Sequence, residues 1–217
     1  MGDKIFTEAE LEALGRRTLD VLQETLDRGD LEQAKKLGKR MYIEFSAMHD
    51  LYMNWITDLL TFIGERYGDE DLSAALEKAV GTFTRALGPI YAGKDLRRQV
   101  EILMTGLRGH LAPVQLEEDE EKITLRNMCG SGGRLVQQKA YDPPRNCLKI
   151  KTPQPMTFGR PDFPVYCAHC HFQNIIPMSP GQAQPYLIVP AEKIGQGPCT
   201  AYFFKKEAAA LGRGKSG

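Results

Sequence analysis

The stretch Glu117-Glu118-Asp119-Glu120-Glu121-Lys122-Ile123-Thr124-Leu125-Arg126-Asn127-Met128-Cys129 is where this chain changes character. Its first five residues are all acidic, which reads as a solvated connector. From Lys122 to Met128 apolar and polar residues alternate, the period of a half-buried strand, and that strand delivers Cys129 at its end. Up to Ala112 the chain has helical periodicity, one proline (Pro89) and no cysteine; from Pro113 onward come all five cysteines and twelve of the thirteen prolines. The fold class that follows is α+β. A helical N-terminal region spans 1–112, an acidic connector 113–121, and a small strand-and-loop region built around a Cys-rich metal site 122–205, with 206–217 expected as a frayed tail.

Working back toward the N-terminus, Thr7-Glu8-Ala9-Glu10 is a capping box. It predicts a helix with Leu11, Leu14, Leu19, Leu22 and Leu26 on the inner side and Gly29 at its end. Asp30 caps a longer helix that runs to Ile63 or Tyr67, with Gly38 as a point of possible interruption. Its apolar face is read as Phe45, Met48, Tyr52, Trp55, Ile56, Leu59, Phe62 and Ile63, and its solvent side as Asp50, Asn54, Thr57 and Thr61. A third helix is expected from Asp69 to Leu87, stopped by Gly88-Pro89, and a fourth from Asp95 to Leu111. Beyond Lys122, short strands are expected at Leu148–Ile150, Tyr186–Val189 and Ala201–Phe204, with the prolines holding the connections.

The totals exclude several functions. With 28 basic and 28 acidic residues in 217, the chain carries no overall field toward nucleic acid or an anionic membrane. The most apolar stretch, Met41 to Ile63, is interrupted by Glu44, His49, Asp50, Asn54 and Asp58, so no membrane span is expected. An odd count of five cysteines, with no secretory signal in residues 1–25, fits a reducing cytoplasm and metal-bound thiolates better than a disulfide framework.

The chemistry centres on Cys167-Ala168-His169-Cys170-His171. Two thiols three residues apart can hold one ion from a single turn, and Cys129 and Cys199 would complete the tetrahedral shell that zinc prefers. His169 or His171 could replace one sulfur. Cys147 reads as a small buried residue. The same run spells C-x-x-C-H, the attachment pattern of a c-type haem through Cys167, Cys170 and His171. Haem attachment normally follows export and would leave Cys129 and Cys199 without a role, so zinc is preferred.

Cys129-Gly130-Ser131-Gly132-Gly133-Arg134 surrounds the first ligand with exposed amides and a guanidinium. Such amides can form an anion-binding concavity, with Arg134 as a bidentate donor; the plain alternative is a tight turn beside a metal ligand. The spacing is neither a P-loop nor a dinucleotide fingerprint. His49, on the shoulder of the long helix, is a candidate proton carrier, and His110 is expected to meet carbonyls at the end of its helix.

The functional expectation is a cytoplasmic zinc-dependent hydrolase or lyase. Ser131, Gly132, Gly133 and Arg134 would hold a small anionic substrate between the helical and Cys-rich regions while His49 and Arg134 act in catalysis. A non-enzymatic ligand- or partner-binding module with a structural zinc held by four cysteines is the alternative, and a haem protein the third reading.

Overall fold

The computed structural model describes residues 5–179 and 184–205 and is mixed helix and sheet, as the α+β class requires. The tail 206–217 lies outside the described residues. The chain divides into two compact units, Met1–Tyr52 and Met53–Gly217, and the division falls inside a long helix.

In the first unit α1 (Glu8–Gly15) opens on the capping box. Thr7 Oγ1 accepts from the Glu10 N–H at 3.3 Å, and the Glu10 carboxylate accepts from the Thr7 N–H at 2.7 Å. The single helix expected as far as Gly29 is two, because Arg16 is extended and α2 (Thr18–Asp27) starts afresh after Arg17. Leu11, Leu14, Leu19 and Leu26, expected inside, are exposed. The buried residues of α2 are Thr18 and Thr25, and Thr25 can be buried because its hydroxyl donates to the Val21 carbonyl at 2.7 Å. Helix α3 (Leu31–Tyr67) begins where Asp30 Oδ1 accepts from the Gln33 N–H, and Gly38 does not interrupt it.

In the second unit the buried side of α3 differs from the one expected, of which Ile63 alone packs against the core. Met53, Thr57 and Leu60 are buried, whereas Trp55, Ile56, Leu59 and Phe62 are exposed. Thr57 donates to the Met53 carbonyl at 2.6 Å, so its hydroxyl enters the interior already satisfied. Gly64 lies on the same side, where a Cβ would stand 2.3 Å from Leu148 Cδ2 and 3.2 Å from Leu72 Cδ2. Small and self-satisfied residues therefore form the close-packed face, and the aromatic stripe faces outward.

Gly68, at φ 87°, makes the turn into α4 (Asp69–Tyr91) in a conformation that side chains resist. Helix α4 passes through Gly88-Pro89 to Tyr91, beyond the expected stop. Pro89 gives up one bond to the preceding turn and only two helical residues follow it, while Gly88 serves packing: a Cβ there would stand 2.5 Å from the Met178 carbonyl oxygen. Helix α5 (Leu96–Gly109) is capped by Asp95, whose carboxylate accepts from the Arg98 N–H at 2.8 Å.

The strands are β1 (Val114–Glu118), β2 (Lys122–Asn127), β3 (Lys149–Ile150), β4 (Phe163–Pro164), β5 (Leu187–Val189) and β6 (Cys199–Phe204). Four of them form an antiparallel sheet in the order β1-β2-β6-β5, and β3 pairs with β4. The acidic stretch expected as a connector is a hairpin instead. Glu117 and Glu118 end β1, and Asp119 Oδ1 closes the turn by accepting from the N–H groups of Glu121 and Lys122 at 2.8 and 2.9 Å. Carboxylates on this edge strand also discourage further strand pairing.

One core cluster joins α3 and α4 to the segment around Leu135, Ile150, Val165 and Phe172; the other joins Tyr91 and Val100 to Leu125, Ala201 and Phe203 of the sheet. Among the described residues no helix is long and apolar enough to cross a membrane.

The buried face of α3 can be measured at two adjacent leucines. Leu60→Ala should lower unfolding free energy by about 2–4 kcal/mol, as buried leucine truncations do. Leu59→Ala should change it by under about 1 kcal/mol in the same urea titration. The opposite ranking would restore the aromatic stripe as the buried face.

Candidate functional site: a thiol-rich centre

Strand pairing brings two distant cysteines together. Asn127 is paired with Cys199, so the chain leaving β2 carries Cys129 past the start of β6. The Cys199 thiol donates to the Cys129 sulfur, which also receives the backbone N–H groups of Gly133 and Ser131. These bonds, led by the one from Cys199, pull Cys129 well below the ordinary thiol range although burial opposes them. Cys199 is pushed up, first by its bond to Cys129 and then by burial, while the Ala191 N–H reaches its sulfur at 3.4 Å. Both shifts have one leading cause, the bond between the two sulfurs, which favours the anionic form of Cys129 and keeps the proton on Cys199.

The run Cys167-Ala168-His169-Cys170-His171 is helical, not a strand connection. A 3-10 turn over Val165–Ala168 leads directly into α7 (His169–Ile175). His169 Nδ1 lies 2.6 Å from the Tyr166 carbonyl oxygen, to which only an N–H can bind. That contact places the proton on Nδ1 and turns Nε2 toward Cys170 Sγ, 3.6 Å away. Desolvation works against the His169 cation, but the adjacent Cys170 sulfur and the Tyr166 carbonyl outweigh it and carry the ring up to about 9. Cys167 is buried, and burial raises its thiol. Its sulfur packs against Gly132, where a Cβ would stand only 2.4 Å away. His171 is directed elsewhere, edge-on to the rings of Phe158 and Phe172. Cys147 is buried with its sulfur 3.6 Å from Asp58 Oδ1.

The glycine-rich loop has a steric reason at each position. A Cβ on Gly130 would stand 1.4 Å from the His110 carbonyl oxygen, so the backbone of the loop lies directly against the end of α5. A Cβ on Gly133 would come within 3.2 Å of the Cys129 Cβ. Short helix α6 (Gly132–Gln137) follows, with the Arg134 N–H donating to the Cys129 carbonyl at 2.9 Å. Ser131 precedes α6 but does not cap it with its side chain. Its buried hydroxyl instead meets His110 Nδ1 in a short contact and hydrogen-bonds the Tyr166 phenol. Ser131 has therefore given its side chain to His110 and Tyr166 in place of the start of α6.

Of the residues singled out from sequence, Cys129 and Cys170 lie near enough for their charges to act on both Cys167 and Cys199, with His169 among them; Cys167 packs on Gly132, and the other four are joined by hydrogen bonds. They stand as two pairs, Cys129–Cys199 and His169–Cys170. Among the described residues no three Cys, His, Asp or Glu side chains are grouped as a metal shell would be, so the Cys-rich metal site expected with the fold class is not formed in this structure. The amides of Ser131 and Gly133, expected to bind an outside anion, are directed at the sulfur of Cys129. Arg134 is half-buried in the first turn of α6. His49 belongs to the first unit, where its Nδ1 lies 3.3 Å from Asp50 Oδ1. The sequence carries no sign of the Tyr166 contacts or of the Ser131–His110 pair, since nothing local links positions 21 residues apart.

No family model, no curated protein and no solved structure matches this chain.

The steric reading of the loop predicts a sharp contrast between two glycines. Gly130→Ala should destabilise the protein by about 3 kcal/mol or more, because the obstacle is backbone and cannot rotate away. Gly106→Ala, in α5 with nothing within 4 Å of its Cβ position, should be neutral or stabilising by up to about 1 kcal/mol. Equal midpoints for Gly130→Ala and the parent protein in thermal unfolding would refute the close approach.

Proposed function

We propose that this protein is a zinc-binding module whose metal is structural, held by Cys129, Cys170, Cys199 and His169. The observation that carries this is a hydrogen-bonded cysteine pair at the ends of β2 and β6 whose charges act on a histidine–cysteine pair at the start of α7. Zinc binds deprotonated sulfur and neutral imidazole nitrogen, and binding displaces the protons they carry. The Cys199 thiol already bonds the Cys129 sulfur, and His169 has Nδ1 on a carbonyl and Nε2 turned toward the Cys170 sulfur, the orientation common to zinc-bound histidines. Drawing the two pairs together on one ion would tie β2, β6 and α7 at one point. Cys167, packed on Gly132, is better placed as a wall than as a ligand. A haem thioether at Cys167 would have to displace that same glycine backbone, which disfavours the haem reading.

Four protein ligands leave zinc no open position, and the loop amides are taken up by a ligand sulfur. Both features favour a structural metal over a catalytic one. The second reading, a zinc-dependent hydrolase or lyase acting on a small anionic molecule, draws support from a cavity of about 280 Å³ beside α6. Lys149, Arg160 and Lys193 line it, but Asp142, Asp162 and Glu192 do so too, and the residues lining it include none of the thiols. Chemistry in that cavity would not pass through the metal.

Zinc uptake tests the assignment. The purified protein should bind one zinc per chain, with three sulfurs at about 2.3 Å and one nitrogen at about 2.0–2.1 Å in its X-ray absorption spectrum. Cys129→Ser, Cys170→Ser and Cys199→Ser should each abolish stoichiometric uptake, and Cys167→Ala should retain it. Loss of zinc in Cys167→Ala would return the site to four thiolates; no uptake by the parent protein would end the zinc reading.

A further inference from the structure

We infer that His110 and Ser131 are positioning residues for the thiol-rich centre, forming an outer layer of hydrogen bonds that holds Cys129 ready for the metal. The inference rests on the zinc reading above and adds residues outside the ligand set. Ser131 acts in two directions: its backbone N–H bonds the Cys129 sulfur, and its hydroxyl is held between His110 Nδ1 and the Tyr166 phenol. Tyr166 in turn carries the carbonyl that anchors His169, and its ring lies edge-on to the His169 ring at 4.8 Å. A single chain of contacts thus runs from the end of α5 through Ser131 to one proposed ligand and through Tyr166 to another.

The geometry makes His110 the outer anchor of this chain. It is the C-cap residue of α5, and its carbonyl oxygen lies against Gly130 while its ring meets Ser131, so two consecutive loop residues are fixed by one histidine. The Ser131 side chain is buried and does not cap α6. Truncating the His110 side chain leaves that hydroxyl with Tyr166 alone and the loop held only at Gly130, so the amides of Ser131 and Gly133 lose part of their aim at Cys129. The sulfur that this loop places beside β6 then lacks a fixed position, so the consequence is weaker zinc binding.

The test is the affinity of the full-length protein for Zn(II) alone, measured in competition with a chromophoric chelator. His110→Ala and Ser131→Ala should weaken zinc binding by about 10–100-fold, the usual cost of losing an outer-layer partner, while His110→Asn, which places a polar atom where Nδ1 stood, should return to within about threefold of the parent protein. Rescue by asparagine separates a positioning hydrogen bond from simple filling of space. If His110→Ala does not fold, Ser131→Ala and His110→Asn still decide the matter. The inference is overturned if the folded variants bind zinc as tightly as the parent, or if His110→Asn binds as weakly as His110→Ala; the zinc reading survives both results. A parent protein that binds no zinc overturns both together.

Discussion

Contact between the backbone at Gly130 and the carbonyl of His110 is the constraint on which the rest of the second unit's centre depends. A side chain at Gly130 would overlap that oxygen, so α5 and the loop after β2 meet main chain to main chain. The same approach puts Ser131 under the His110 ring and sets Gly132 on the Cys167 sulfur. With the loop fixed at those points, the amides of Ser131 and Gly133 face the Cys129 sulfur. Glycine serves here by exclusion of bulk more than by conformational freedom, since Gly130, Gly132 and Gly133 are not among the positive-φ glycines.

Much of the secondary structure is legible because it is written locally. Thr7 with Glu10, Asp30 and Asp95 are capping residues whose partners lie three positions away, and each starts a helix where that local signal places it. Alternation likewise marks β2 and the end of the chain's last strand. The differences arise where tertiary context reverses a local signal. Counting apolar residues chooses Trp55, Leu59 and Phe62 as the inner side of α3, but close packing against Leu72 and Leu148 needs a small residue, which Gly64 supplies, and Thr57 is buried with its hydroxyl on the helix's own backbone. The five acidic residues look like a linker because their charge is visible, while the hairpin closed by Asp119 depends on pairing with a strand that only the fold reveals.

At the candidate site, the identity of the sulfurs is legible in the sequence and their arrangement is not. Spacing makes Cys167 and Cys170 look equivalent, yet one lies in a 3-10 turn packed on glycine and the other beside an imidazole. The glycine-rich loop is recognisable as a place where amides gather, but which anion they serve depends on where Cys129 turns after the strand. His110 and His49 look alike in sequence as shoulder or terminal histidines. What separates them is a contact with Ser131 across 21 positions, formed because β1 and β2 return the chain to the end of α5.

The hydrogen-bonded Cys129–Cys199 pair explains how these sulfurs can lie together in a largely apolar surround. Two buried thiolates side by side would repel, and two thiols would leave the amides of Ser131 and Gly133 facing weak acceptors. One thiolate that accepts from its neighbour and from both amides satisfies every group with a single negative charge, and His169 offers a positive partner nearby. A divalent ion would take over the work of the Cys199 proton and of the histidine's charge at once. Because the amides already point at the Cys129 sulfur, the ion would have less to reorganise on entering, and the loop that aims them would support metal affinity from behind the ligands, at a smaller cost when loosened than the loss of a ligand's own side chain.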